Sequence, residues 1–232
     1  MNILINIYNQ INHAMKNLKT LSILFVAVLI INGCFITSAD GSVGENITYG
    51  PELSYRSSKF TGSDAKDDDY KRLGSIGFGG YVHWYFSEAH PEMGLLSGLF
   101  YNQFGARYEY SSNDKSKLRV SYLTIPFTFT YTVYEGVNIE VGPDLSFLLA
   151  AKEKNEYLGQ KETYDLKDDT NKVQIGYNIA ASYTHEESGL GGFIRWNGGF
   201  SNVNNEGDYV IHNGGFSIGV RYRINHIVEK LK

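Results

Sequence analysis

The sequence predicts an all-β fold, an eight-stranded antiparallel up-and-down transmembrane β-barrel preceded by a cleaved signal peptide. Three observations predict it. One apolar segment near the N-terminus has the layout of a secretion signal, the rest of the chain alternates apolar and polar residues, and the connections alternate between long and short. We therefore expect residues 1–39 to be the signal peptide and residues 40–232 to be the outer-membrane β-barrel domain.

The apolar segment Leu21–Ile31 follows Lys16 and Lys19 and precedes the small residues Thr37–Ala39. A basic region, a short apolar region and small residues in this order are typical of a cleaved signal. A transmembrane helix would need roughly 20 apolar residues, more than this segment provides. Met15 begins a signal of conventional layout, so a translation start at Met15 is an alternative.

Cys34 is the only cysteine of the chain, so we expect no disulfide bond within the mature protein. The residues Ile31–Cys34 loosely resemble a lipoprotein cleavage site, in which the cysteine becomes lipidated. The small residues Thr37–Ala39 provide a competing site, and we expect cleavage there.

The composition of the chain favours β-strands, and its charge distribution argues against a nucleic-acid partner. The chain contains 18 Tyr, 13 Phe and 25 Gly against only 4 Pro, a balance typical of β-proteins. Its formal net charge is −4, and its Lys and Arg residues are scattered along the sequence. We therefore expect no nucleic-acid partner.

Residues Tyr122–Val133 alternate most clearly, with apolar or aromatic residues at every odd position and mostly Thr at even positions. Residues Val137–Leu149 repeat this pattern, and only Glu135 and Gly136 separate the two segments, which predicts a tight hairpin. Further strands are expected at Ile47–Arg56, Ser75–Phe86, Gly94–Tyr108, Val173–Tyr183, Leu190–Phe200 and Phe216–Ile224.

The connections between these strands alternate in length. The longer, polar ones are Ser57–Arg72, Glu109–Lys117, Lys152–Asn171 and Asn202–Tyr209. The short ones are Ser87–Pro91, Glu135–Gly136 and Glu186–Gly189. In outer-membrane barrels short turns face the periplasm and long loops face outward, so both termini are expected on the periplasmic side.

A soluble lipocalin-like ligand-binding barrel would also alternate, but it places apolar side chains inside. Here the polar face combines small residues with charges of both signs and few Lys, which suits a narrow lumen where charges pair. We expect interior charges at Glu52, Glu140, Arg195, Arg221 and Arg223. If the first strand pairs with the last, Glu52 lies at the height of Arg221.

Aromatic residues gather where the strands approach the short turns. They are expected to form a girdle at the periplasmic interface that contains Trp84, Tyr85, Tyr131, Tyr134, Tyr183 and Tyr222.

Four short stretches carry strand motifs: Leu99–Ala106 (LFYNQFGA), Tyr122–Pro126 (YLTIP), Gly136–Pro143 (GVNIEVGP) and Gly219–Arg223 (GVRYR). In this order they resemble the PorT-like outer-membrane β-barrel family of Bacteroidota. The resemblance implies a small outer-membrane barrel with no general catalytic motif. Phe104 and Thr124 stand where that family commonly has Lys and Glu, so part of its interior charge is absent here.

The sequence shows no metal-binding or nucleophile motif, and we expect no cofactor and no metal. A lipid-modifying barrel enzyme is an alternative, because Ser201 and Glu206 lie close in sequence to His212, but we expect this histidine to be structural or solvated. The acidic run around Asp64 and Asp67–Asp69 lacks the spacing of a calcium loop and is expected to be a solvated loop.

The leading function hypothesis is a noncatalytic outer-membrane barrel whose loops contact something outside the cell or whose periplasmic rim contacts an envelope machine. Envelope structure, adhesion and support of secretion remain open as its role. The expected partners are outer-membrane lipid, the barrel-assembly machinery and an extracellular or periplasmic protein. Because side chains fill an eight-stranded barrel, a wide pore is not expected.

Overall fold

The computed structural model describes residues 47–66, 70–87, 90–111, 114–157, 160–205 and 210–224. The predicted signal peptide, with Met15 and Cys34, lies outside the described residues. Within these ranges, no helix is both long enough and apolar enough to cross a membrane.

The described residues form nine strands and one short 3-10 helix, Asp64–Lys66. The strands are β1 (Ile47–Thr61), β2 (Lys71–Ser87), β3 (His90–Ser111), β4 (Asp114–Tyr134), β5 (Val137–Tyr157), β6 (Gln160–Asp165), β7 (Val173–Thr184), β8 (Leu190–Gly199) and β9 (His212–Tyr222).

Eight of these strands close into a ring. Its order is β1, β2, β3, β4, β5, β7, β8 and β9, and β9 pairs with β1 in antiparallel sense. Strand β6 pairs antiparallel with the far end of β5 and is not part of the ring. The predicted all-β, eight-stranded antiparallel barrel is confirmed, and each ring strand neighbours the ring strand before it in sequence, as an up-and-down barrel requires.

Alternate side chains of each strand face the lumen and the exterior. In β4, Thr124, Thr128 and Thr130 are buried inside, whereas Phe127 and Phe129 are exposed on the outer surface. The other ring strands alternate in the same way: apolar side chains cover the outer face, and the lumen contains small and charged side chains together with some large ones, such as Leu96, Phe100 and Phe193. This arrangement is the reverse of a lipocalin-like barrel and matches a barrel whose outer face contacts lipid.

The predicted hairpin at Glu135 and Gly136 is confirmed. Gly136 adopts a φ of 72°, in the left-handed region where a side chain is strained. A Cβ atom at this position would lie 2.4 Å from the carbonyl oxygen of Thr184, so the turn also packs closely against the end of β7.

The predicted extent of the long connections is wrong. Ser57–Thr61 continue β1, Lys152–Tyr157 continue β5, and β6 lies wholly inside the expected loop Lys152–Asn171. The strand predicted at Leu190–Phe200 is one residue shorter in the structure, since Phe200 lies just past the end of β8. The hydrogen-bonded ladder continues beyond the lipid, where polar side chains are tolerated on the outer face, so the apolar alternation stops before the strands end.

The strands therefore project well above the membrane. Strands β4 and β5 contain 21 residues each. At about 3.3 Å per residue and a tilt of about 40°, each strand spans about 50 Å along the barrel axis, roughly twice the ~25 Å apolar band of an outer-membrane barrel. Together with β3 and β6, they form a raised β-wall at the end of the barrel where the long connections lie.

Candidate functional site

The lumen contains a network of four charged side chains from four different strands. Arg195 of β8 donates two hydrogen bonds to Glu52 of β1, with N–O distances of 2.7 and 3.1 Å. Arg221 of β9 donates two to Glu140 of β5, at 2.7 and 3.2 Å. The cross pairs are also close, at 3.3 Å for Arg221–Glu52 and 3.9 Å for Arg195–Glu140. Each carboxylate thus lies within ion-pair distance of both guanidinium groups.

Neighbouring side chains hold this network in place. The hydroxyl of Ser182 donates to Glu140 at 2.6 Å. The ring of Phe193 lies 4.4 Å from the guanidinium carbon of Arg195 and 5.0 Å from that of Arg221, so one aromatic ring contacts both cations. Because burying an ion is costly unless it is paired and hydrogen-bonded, these contacts explain how the lumen accommodates four charges.

The predicted register of the first strand on the last is confirmed, because Glu52 and Arg221 are Cα partners across β1 and β9. The two charges face each other as expected, at 3.3 Å, but each makes its bidentate hydrogen bonds with another residue: Glu52 with Arg195, and Arg221 with Glu140. The alternation of odd and even positions along a strand determines which face a side chain occupies, but it does not determine which side chain it contacts across the lumen. Arg223 follows β9 and donates to the carbonyl of Glu186 in the turn between β7 and β8.

A second polar layer lies next to the network, on the side of the long connections. Arg56 is fully buried and donates to the side-chain oxygens of Asn102, at 3.0 Å, and Asn197, at 3.4 Å. Asp144 accepts hydrogen bonds from Asn178, at 2.7 Å, and from Asn197, at 3.0 Å. Asn197 therefore links the buried cation to the buried carboxylate.

Above this layer the lumen becomes apolar, which the sequence reasoning missed. We call this cluster the apolar cap; it contains Phe60, Ala65, Phe104, Ala106, Val120, Tyr122, Leu148, Ala151, Val203 and Ile211. Several of its members belong to connections rather than strands. The guanidinium of Arg56 lies 4.2 Å from the centre of the Phe104 ring, so this Phe, which stands where a Lys was expected from the resemblance, covers the buried cation instead of adding another.

The candidate catalytic residues do not form a recognisable triad. His212 donates through Nδ1 to the backbone carbonyl of Ser201 at 2.9 Å, and the Ser201 hydroxyl donates to Gln174 at 3.1 Å. Glu206 lies outside the described residues. Asp64 accepts from the backbone N–H of Val210 at 2.5 Å, and the described part of the chain contains no cluster of potential metal ligands.

The strand order, the inside-out distribution of side chains and the ionic lumen all point to an outer-membrane barrel, and the comparison with protein families decides it. The family model described as outer membrane protein beta-barrel domain matches residues 39–205, from before β1 to beyond β8. The chain belongs to this family. No curated protein matches the sequence.

The outer-membrane barrel is also similar to solved structures at low sequence identity. Ail, the attachment invasion locus protein of Yersinia pestis, is 15% identical with a TM-score of 0.46, over 77% of this chain and 99% of that chain. Neisserial surface protein A is 11% identical with a TM-score of 0.45, over 78% and 98%. The N-terminal β-barrel domain of Pseudomonas aeruginosa OprF is 10% identical with a TM-score of 0.38, over 77% and 98%.

The protein is located in the outer membrane, and part of the expected aromatic girdle is found on its outer surface. Trp84, Tyr131, Tyr134 and Tyr183 are exposed on the outer surface near the short turns. Tyr85 was expected in the same girdle but is half-buried, and its ring centroid lies 4.2 Å from that of the buried His83. The residues of β2 alternate, so Tyr85 shares the inward parity of His83.

Proposed function

We propose that this outer-membrane barrel is noncatalytic and non-conducting, and that it serves as a rigid support for contacts made outside the cell. The observation that carries the proposal is the filled lumen. Three successive layers occupy it: the charged network around Glu140 and Arg221, the polar layer around Arg56 and Asp144, and the apolar cap. Such an interior supports the wall and leaves little space for solutes to pass.

The raised β-wall supports a role on the extracellular side rather than at the periplasmic rim. The strands project above the lipid, and all six side chains of β6 are exposed. The periplasmic turns at Glu135–Gly136 and Glu186–Gly189 contain few residues and offer a smaller surface. Among the roles left open by the sequence, adhesion or another surface contact therefore has the strongest support.

The hydrogen bonds around His212 support a noncatalytic function. In the described contacts the Ser201 hydroxyl donates to the side-chain oxygen of Gln174, and the His212 ring contacts the Ser201 carbonyl instead of that hydroxyl, so the two side chains are not paired as nucleophile and base. We also propose the narrower PorT-like assignment, which the motifs of β3, β4 and β5 support. The barrel-assembly machinery is the proposed partner for insertion.

Planar-bilayer recording tests the closed lumen. We expect the purified full chain to insert without stable conductance, while a wide porin added under the same conditions conducts. Large, stable conductance steps from the wild-type protein would overturn the proposal.

Shortening the β5–β6 hairpin tests the extracellular role. A variant lacking residues 155–162 should keep its folded band on an unheated gel, because β6 lies outside the ring. It should reduce attachment of producing cells to surfaces or to other cells. The periplasmic-turn variant Glu135→Gln is the control and should attach normally. Unchanged attachment of the shortened variant, together with an envelope defect in the control, would favour a periplasmic role instead.

A further inference from the structure

The outer face of the raised β-wall carries two rows of cations above the lipid-facing surface. Arg119 of β4 and Lys152 of β5 are directly opposite each other and form the lower row. Lys117 and Lys154 form the next row on the same two strands, and Arg107 of β3 lies directly opposite Lys117. Five cations thus lie together across three neighbouring strands.

Acidic residues neutralise positive charge only at the edges of this cationic surface. Glu109 forms ion pairs with Lys71, at 2.6 Å, and with Arg107, at 3.5 Å. The hydrogen bond from Lys71 lowers the pKa of Glu109, so this carboxylate stays ionised beside those two cations. Asp165 lies opposite Lys152 across β5 and β6.

The four central cations have no comparable partner. Glu156 lies opposite Lys115 and pairs with Lys161, at 3.7 Å. In the described ranges, no carboxylate oxygen lies within 4.0 Å of the side-chain nitrogens of Lys117, Arg119, Lys152 or Lys154. Like charges directly opposite each other destabilise a sheet, so the Lys117–Lys154 pair has an energetic cost that an anionic ligand would remove.

These four side chains line a groove of about 450 Å³, which we call the basic groove; its other lining residues are Gln103, Ser121 and Ala150. Arg119 is oriented by a hydrogen bond of 2.9 Å to the side-chain oxygen of Gln103. At the lower edge, the hydroxyl groups of Tyr101 and Ser121 lie 2.9 Å apart. Polar groups therefore surround the groove on the side nearer the membrane.

The height of the basic groove matches a lipid headgroup. The apolar outer face of β4 ends at Leu123, which is flanked by Tyr101 and Phe147 on the neighbouring strands. At about 3.4 Å per residue and a tilt of about 40°, the backbones of Arg119 and Lys117 lie about 10 and 15 Å above Leu123. Long cationic side chains reach several ångströms from their backbone, so their charges can reach the headgroup layer just outside the hydrocarbon.

We propose that the basic groove binds the phosphate groups of a phosphorylated glycolipid in the outer leaflet. The groove faces the same side of the sheet as the apolar band, so one lipid can place its phosphates on Lys117, Arg119, Lys152 and Lys154 while its acyl chains lie along the surface around Leu123. A soluble polyanion would also complement the four positive charges, but it has no acyl chains to contact the adjoining apolar band. The lipid phosphates relieve the repulsion between Lys117 and Lys154.

The test compares the full-length chain in phosphatidylcholine vesicles with and without a phosphorylated lipid A-type glycolipid. The measurement is the temperature at which the folded band on an unheated gel converts to the unfolded one. The wild-type midpoint should rise by a few degrees with the phosphorylated glycolipid and stay unchanged with its dephosphorylated form, because ligands that bind only the folded state stabilise it.

The variant Lys117→Gln/Lys154→Gln should lose this rise, and in phosphatidylcholine alone its midpoint should equal or exceed that of the wild type. If the two lysines only stabilised the fold, the variant would have a lower midpoint under both conditions. A midpoint that is lower than that of the wild type only when the glycolipid is present therefore indicates binding. The control Lys59→Gln/Lys172→Gln removes the same charge from exposed positions on β1 and in the connection before β7, and it should keep the rise.

Three results would overturn the proposal. An equal rise with the dephosphorylated glycolipid would show that phosphate is not recognised. An equal rise with inorganic phosphate in phosphatidylcholine vesicles would show that any anion is sufficient. An equal rise with a soluble sulfated polysaccharide and no glycolipid would assign the groove to a soluble glycan.

Discussion

Replacing Glu140 by Ala removes the carboxylate that accepts two hydrogen bonds from Arg221 and one from Ser182. Arg221 then keeps only its 3.3 Å contact with Glu52, and Glu52 must serve two guanidinium groups. The lumen network loses one of its two negative charges. Because both arginines are almost fully buried, water compensates this loss only weakly.

Breaking a buried ion pair by removing one partner typically costs about 3–5 kcal/mol. The remaining Glu52 contact lowers the cost for Glu140→Ala, so we expect a loss of about 3 kcal/mol in the free energy of unfolding. Arg221→Ala should cost a similar amount, about 3 kcal/mol, because it leaves Glu140 with Arg195 at a longer distance. The double variant should lose less than the sum, with a coupling energy of about 2–3 kcal/mol.

The same cycle for Glu52 and Arg221 should give a smaller coupling, about 1 kcal/mol, because their contact is single and longer. Urea-induced unfolding in lipid vesicles measures each free energy, and the folded and unfolded bands on an unheated gel provide an independent signal. Additive losses for Glu140 and Arg221, or a larger coupling for Glu52 and Arg221, would refute this assignment of partners.

Three further results are expected. Gly136→Ala should destabilise the barrel by about 1–3 kcal/mol because of its positive φ, whereas Gly80→Ala, whose Cβ would lie 3.8 Å from the Gly50 carbonyl oxygen in ordinary van der Waals contact, should be near neutral in the same urea assay. Protease added to intact cells should cut within 166–172 and spare the turn at Gly136; the opposite pattern on peptide mapping would invert the topology. Arg56→Met should cost less than Arg221→Met in urea unfolding, because Arg56 has no carboxylate within ion-pair distance among the described residues; equal losses would contradict this.

The sequence predicted the barrel well because a membrane barrel imposes the same rule on every strand. Apolar side chains must face lipid and polar ones must face the lumen, so parity alone assigned the inward faces of β4, β5, β7 and β9 correctly. The register of β1 on β9 followed from the same argument, since Glu52 and Arg221 share the inward face and their distances from the closing end agree.

The parts of the fold above the membrane were not predictable in the same way. There the outer face contacts water, so Lys117, Arg119 and Lys152 can occupy positions that Phe and Ile occupy below. A long segment rich in charged residues predicts a loop from sequence, although the hydrogen-bonded ladder between β4 and β5 continues to the ends of both strands. The hairpin partner β6 was missed for this reason.

The apolar cap was missed because its members are distant in sequence and belong to different kinds of segment. Phe60 and Val120 have strand parity, but Val203 and Ile211 lie in a connection that showed no periodic pattern. Backbone and side-chain hydrogen bonds hold that connection over the lumen, as in the 2.8 Å bond from Val203 N–H to the Ile211 carbonyl and the 2.7 Å bond from the Gln174 side chain to the Asn202 carbonyl. Sequence periodicity carries no information about such contacts.

The charged network also constrains how the barrel closes. Its members come from β1, β5, β8 and β9, so the four side chains meet only when the ring is complete and every strand has its observed register. A slip of one residue would turn Arg221 from the lumen to the outer face near the membrane interface, where a lipid-exposed arginine costs up to about 1 kcal/mol. The slip would also leave Glu140 buried without its bidentate partner. Burying four ions costs stability, but it makes the correct register much more favourable than a shifted one. An apolar lumen of similar volume would not distinguish the two registers, because apolar side chains are stable on either face.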